Sequence, residues 1–207
     1  RACCYTDWSP TSTGDFWGKR MKTKVYFIRH AEPNYDNHDD ISRELSPKGL
    51  QDSQQIVTIL RDEQIDYFYS SPYKRAIDTI LPLAAFHQKE IYHIAHFRER
   101  KITTHWIEDF NSFTEKQWAD FSYHLPGGES LQEVQERNVM ALLTLLDRHQ
   151  GKTLVIGTHG TVLSTILRYY QPTYSIKDFN RIKHIFPYMI CLTFEDFSLV
   201  SMQEIPL

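Results

Sequence analysis

Val25-Tyr26-Phe27-Ile28-Arg29-His30-Ala31-Glu32 is the stretch on which the reading of this chain turns. Four β-branched or aromatic residues run into a cation and an imidazole, so a buried strand is expected to end at Arg29 and His30. Strand-end loops of an open parallel sheet are where such sheets bind ligands. An imidazole there can serve as nucleophile, base or metal ligand. Taken alone, the stretch also reads as a strand-terminal Arg and His facing solvent, so the rest of the chain has to decide.

Outward from this stretch the pattern of strand, polar loop and helix repeats. Ser46-Pro47 gives an N-cap followed by proline at the first helical position, and Leu50, Ile56, Val57 and Leu60 supply the buried face of the helix. A short strand at Tyr67 to Tyr69 leads to Ser71-Pro72, which is expected to open the next helix in the same way with Arg75 in its first turn. Ile91 to Ile94 reads as a third strand that leads to Glu99. The segment from Lys101 to Pro126 is polar and aromatic, with a short helix expected at about Thr114 to Phe121 and Trp118 in the core. Pro126-Gly127-Gly128 is a turn, and Ser130 with Glu133 has capping-box spacing at the start of a long helix running to about His149. Thr153 to Gly157 is apolar without alternation, as a fully buried strand is, and it delivers Thr158-His159-Gly160 into another helix. Met189 to Phe194 and Leu199 to Met202 read as two late strands. The fold expected is a single three-layer α/β/α sandwich with a mostly parallel central sheet, covering residues 21–207. Residues 1–20 lack a helical or strand period and precede a natural-looking start at Met21, so they read as a leader or a non-native extension.

Composition narrows the function. The 207 residues are 41% hydrophobic, enough for one substantial core, and carry a net charge of −3. That balance indicates neither a nucleic-acid footprint nor a basic membrane patch, and an anionic substrate must be held by local cations. No apolar run reaches the length of a membrane span, and the first residues lack the hydrophobic centre of a signal peptide. Cys3, Cys4 and Cys191 form neither a metal-ligand spacing nor a disulfide framework, which fits a reducing, cytoplasmic setting. His93 and His96 lack a third ligand, so no metal site is expected there.

Four strand ends each deliver a polar group: Arg29 with His30, Arg75, Glu99, and His159. Right-handed βαβ crossovers bring such ends to one sheet edge, so groups more than a hundred residues apart converge. Two arginines, two histidines and two helix N-termini make an anion site suited to phosphate, and a carboxyl group beside it is a candidate general acid.

In these residues the chain resembles the histidine phosphatase superfamily, which includes the cofactor-dependent phosphoglycerate mutases. The resemblance rests on Arg29-His30-Ala31-Glu32, on Leu45-Ser46 with Gly49 and Gln51, on Ser70-Ser71-Pro72 with Arg75, on Glu99, on Gly128-Glu129-Ser130 and on Thr158-His159-Gly160. It implies that His30 is the nucleophile, that Arg29, Arg75 and His159 hold the phosphoryl oxygens, and that Glu99 donates the proton to the leaving group. Neither metal nor cofactor is then needed. Flanking arginines are expected to keep His30 neutral, with a backbone carbonyl fixing its tautomer. Ala31 stands where the family most often has glycine, and Asp36 where its mutases carry asparagine, which leaves Asn34 and Asn37 as further candidates near the phosphate. Glu32 and Glu108 are rivals to Glu99 as the acid. Glu129 is a candidate support for the pocket or a helix-dipole partner, and Ser130 reads as a helix cap. Lys101 and His105, close after Glu99, are expected to read the non-phosphate part of the substrate.

The activity implied is that of a histidine acid-type phosphatase, a metal-independent phosphomonoester hydrolase acting on a small molecule through a phosphohistidine. A phosphoglycerate-type mutase is the alternative, although family mutases are usually longer. A silent phospho-ligand binding module is a third reading, against which the retained acid Glu99 argues.

Overall fold

Strict alternation along the strands sends side chains into two cores. Val25 and Phe27 of the first strand join one cluster of buried residues while Tyr26 and Ile28 join the other. Leu154 and Ile156 are divided from Val155 in the same way. A sheet apolar on both faces needs helices on both, and the computed structural model, which describes residues 21–104 and 107–207, has them. In chain order the elements are β1 (Lys22–Arg29), α1 (Pro47–Leu60), β2 (Tyr67–Ser70), α2 (Lys74–Phe86), β3 (Ile91–His93), α3 (Phe110–Ala119), α4 (Leu131–Arg148), β4 (Thr153–Thr158), α5 (Gly160–Tyr170), α6 (Ile176–Ile182), β5 (Tyr188–Glu195) and β6 (Ser198–Ile205).

The sheet order is β3-β2-β4-β1-β5-β6. β3, β2, β4 and β1 run parallel, and β5 and β6 continue the sheet antiparallel. Ile56 and Leu60 of α1 and Ile80 and Leu83 of α2 cover one face. Val134, Leu142 and Leu145 of α4, Val162 and Ile166 of α5, and Phe179 and Ile182 of α6 cover the other. This is the expected α/β/α sandwich. Because β1, β2 and β4 are parallel neighbours, His30, Ser71 and His159 all emerge at one edge, where Ser71 N–H donates to Gly157 O at 2.9 Å and His30 N–H to Thr158 O at 3.0 Å.

Helix starts differ from expectation where a polar side chain had another use. Ser46 caps α1 as expected, accepting from Gly49 N–H. Ser71 does not cap α2: its Oγ accepts from Tyr73 N–H at 3.2 Å, and the helix begins at Lys74. Asp109 caps α3 four residues ahead of the expected start, accepting from Ser112 N–H at 2.9 Å. Ser130 is the cap of α4, in a reciprocal box with Glu133. The short α6 was not expected, yet Ser175 and Asp178 form the same reciprocal box at its start.

Candidate active site

His30 leaves the end of β1 buried, 7% exposed. Its Nδ1 lies 2.8 Å from the carbonyl oxygen of Ala31. Only a protonated Nδ1 makes that bond, so Nε2 carries the free lone pair. The pKa of His30 is depressed well below 6.5, first by burial and then by Arg75 and Arg29, with the Ala31 carbonyl opposing. The arginines named from sequence contribute, but removal from water is the larger cause. The turn carrying His30 is pinned from α2, where Thr79 Oγ1 accepts from Ala31 N–H at 2.9 Å and donates to Arg75 O at 2.7 Å. Gly49 permits α1 to close on the same turn, since a Cβ there would overlap the carbonyl of Glu32.

Three further groups surround the imidazole. Arg29 is buried, and its Nη1 donates to the carbonyls of Ile182 at 2.7 Å and Ile185 at 3.1 Å. Its guanidinium carbon stands 3.9 Å from the ring centre of Phe186. Burial lowers its pKa to about 10, which leaves it charged at neutral pH. Gly160 lets the first turn of α5 approach this guanidinium, for a Cβ there would stand 3.1 Å from Arg29 Nε. Arg75, 3% exposed, donates from Nη1 to Asp40 O at 2.5 Å and pairs through Nη2 with Asp40 Oδ1 at 3.0 Å. His159 is fully buried, its ring centre 5.4 Å from that of His30. Its Nε2 meets Ser71 Oγ at 2.7 Å, its Nδ1 has no partner among the described residues, and its pKa too lies well below 6.5, from burial first and then Arg75.

Glu99 lines the same cavity of about 440 Å³ as His30, Arg29 and Arg75. Its carboxylate accepts from Arg100 N–H at 2.7 Å and from Thr161 N–H, in the first turn of α5, at 3.4 Å. Behind it, Arg137 of α4 clasps the preceding backbone, donating to the carbonyls of His96, Arg98 (3.0 Å) and Glu99 (3.4 Å). Glu129 holds Arg137 through Nε at 2.9 Å, and also binds Arg98 at 2.7 Å and the Lys101 N–H at 2.9 Å. Burial raises the pKa of Glu129, but its hydrogen bond with Arg137 and its other partners outweigh that and keep it low. Together these contacts fix the chain on both sides of Glu99.

A nucleophilic imidazole under two arginines, with a second histidine and a carboxylate beside it, can bind and transfer a phosphoryl group. A profile of the histidine phosphatase superfamily (branch 1) matches residues 25–197. The chain belongs to this superfamily. It is 28% identical over 170 residues to a metal-independent phosphoserine phosphatase of Arabidopsis thaliana, covering 72% of this chain and 71% of the relative. It is 29% identical over 167 residues to phosphoglycerate mutase-like protein 4 of the same plant, covering 72% of each. Among solved structures, phosphoserine phosphatase of Entamoeba histolytica in complex with 3-phosphoglyceric acid superposes with a TM-score of 0.70 at 22% identity, over 87% of this chain and 96% of that one.

Other residues expected at the superfamily site lie elsewhere. Asn34 and Asn37 do not line the cavity; both donate to the carboxylate of Glu44, at 2.7 and 2.8 Å, and hold it at a pKa of about 2, Asn37 contributing most. They brace the loop 33–45 from within. Asp36 is exposed at that loop's surface. Glu32 accepts from Ser46 Oγ at 2.7 Å, and Glu108 is exposed; neither lines the cavity. Lys101 is exposed and outside the cavity wall, because its backbone is turned toward Glu129, while His105 lies outside the described residues. His93 and His96 are exposed at and beyond β3, and among the described residues no cluster of three His, Cys, Asp or Glu is placed to hold a metal. Trp118 packs against Tyr174 and Phe179, as a core anchor.

Not named from the sequence were most of the other residues of the cavity wall: Tyr35, Asp40, Arg43, Phe179 and Phe186. These residues sit in loops or on short helices with no period of their own. The capping box at Ser175 was the one available signal that a helix, and hence a wall, stood there.

Proposed function

We propose that the chain is a metal-independent phosphomonoester hydrolase that works through a phosphohistidine on His30. The observation that carries the reading is the state of His30: neutral, with Nδ1 committed to Ala31 O and Nε2 free beneath two arginines. In the first step Nε2 forms a bond to phosphorus as the bond to the ester oxygen breaks, and Glu99 gives that oxygen a proton. In the second, water attacks phosphorus, the N–P bond breaks, and Glu99 takes up a proton from the water. Arg29, Arg75 and His159 stabilise the equatorial oxygens. Support for metal independence comes from this supply of positive charge and from the named activity of the Arabidopsis relative. A cavity of about 440 Å³ suits a small phosphate ester. A cytoplasmic setting accompanies the reading, supported by the free, buried thiol of Cys191.

Rapid quenching during turnover of a labelled phosphomonoester is expected to trap acid-labile phosphate on the protein, and His30→Ala is expected to lose both label and turnover. A chelator is expected to leave turnover intact. Normal turnover in His30→Ala would end this reading. The similarity to a mutase-like protein favours one alternative, return of the phosphoryl group to a second substrate oxygen. Product analysis separates the two: inorganic phosphate is expected as the main product, and isomerisation faster than phosphate release would favour the mutase.

A further inference from the structure

The junction between α6 and β5 is bound directly to the phosphate clamp. Carbonyls of Ile182 and Ile185 accept from one nitrogen of Arg29, and the ring of Phe186 lies 3.9 Å from the guanidinium carbon and 5.7 Å from the His30 ring centre. Lys183 and His184 are therefore fixed between two carbonyls that grip the clamp, and both line the cavity. The other cations of the cavity have fixed partners. Arg75 and Arg43 share the carboxylate of Asp40, at 3.0 and 3.5 Å, and Arg29 is held by carbonyls. Lys183, half-buried, has no ion-pair partner among the described residues.

Arg29, Arg43, Arg75 and Lys183 face two carboxylates, Asp40 and Glu99. A Glu99 holding the proton it will donate is uncharged, so the cavity presents a surplus of three positive charges to the substrate. A phosphomonoester dianion answers two of them. One cation is left over, and the clamp arginines are the ones the phosphate takes.

We propose that Lys183 binds a carboxylate on the leaving group, so that the enzyme selects phosphate esters of hydroxy acids over those of neutral alcohols. This rests on the phosphomonoesterase reading above. Phe186 and Phe179 supply the apolar wall along which the carbon skeleton lies between the phosphate and Lys183. A lysine at the C-cap of α6 also complements the last carbonyls of that helix, a role that affects stability and not substrate choice.

The test compares 3-phosphoglycerate with glycerol 3-phosphate, which differ by a carboxylate against a hydroxymethyl group. The parent protein is expected to favour the acid in kcat/KM by about tenfold or more, the size of one charge-assisted hydrogen bond. Lys183→Met is expected to collapse that ratio, mainly through KM for the acid, and Lys183→Arg to restore it. A ratio that stays the same in Lys183→Met, with only the melting temperature changed, overturns the inference in favour of helix capping. If the parent hydrolyses the neutral ester but shows no preference for the acid, the inference falls while the phosphatase reading stands. If it hydrolyses no phosphomonoester, including p-nitrophenyl phosphate, both fall.

Discussion

His30 and His159 are kept neutral by burial before any neighbouring charge acts, and this ties catalysis to stability. In the unfolded chain a histidine titrates near 6.5; in the native protein both titrate well below that. As pH falls through 6.5 the unfolded state binds protons that the native state refuses, so stability present above 6.5 is lost toward the lower native values. Each histidine contributes a slope of up to ~1.4 kcal/mol per pH unit in that window. Urea unfolding at pH 7 and pH 5.5 is expected to show this loss, with a shallower dependence in His30→Ala. An equally steep dependence in that variant would remove His30 as a cause. The identities of His30 and His159 were legible in the sequence because each follows an uninterrupted apolar strand. Their depth of burial was not, because it is created by α2, α5 and the 182–186 junction packing around them.

Two elements act on the site through single side chains, Arg137 and Asp40. Arg137 projects from α4 to hold the carbonyls of residues 96, 98 and 99, and Glu129 at the start of the same helix holds Arg137. Arg137→Ala is expected to lower kcat about tenfold for alkyl phosphates, whose poor leaving groups need the proton proposed to come from Glu99, and far less for p-nitrophenyl phosphate. Equal losses on both would mean that Arg137 supports the fold without positioning the acid. The loop 33–45 acts on Arg75. Its tip is docked on α2, where Lys74 N–H donates to Ile41 O at 3.0 Å, and this presents Asp40 to the Arg75 guanidinium. In the proposed reaction a carboxylate there competes with substrate phosphate for the same donors. Asp40→Asn is therefore expected to lower KM two- to fivefold, the range of a half-exposed ion pair, with a smaller change in kcat. A raised KM would instead show that Asp40 holds Arg75 in its working position. Neither Arg137 nor Asp40 was legible beforehand, since a polar residue on a helix face or in a loop gives no periodic sign of what it reaches. Lys101 misled for a related reason: nearness to Glu99 in sequence does not fix the direction of a backbone held by Glu129.

At the scale of the molecule, a protein of net charge −3 focuses four cations into one cavity. Local field, not overall charge, then governs capture of an anionic ester. Raising ionic strength from about 0.01 to 0.5 M is expected to lower kcat/KM several-fold while leaving the melting temperature nearly unchanged. Insensitivity to salt would show that the cations act only at contact. The architecture itself was readable because β1 and β4 are too apolar to lie anywhere but between two layers of helices, whereas α6, only seven residues long, left little pattern to find. Ribosomes deliver Arg29 early, and the two carbonyls that orient its Nη1 follow 153 and 156 residues later. β1 likewise waits for both of its neighbours in the sheet, β4 and β5. During translation Arg29 and His30 are thus made long before the carbonyls that orient Arg29.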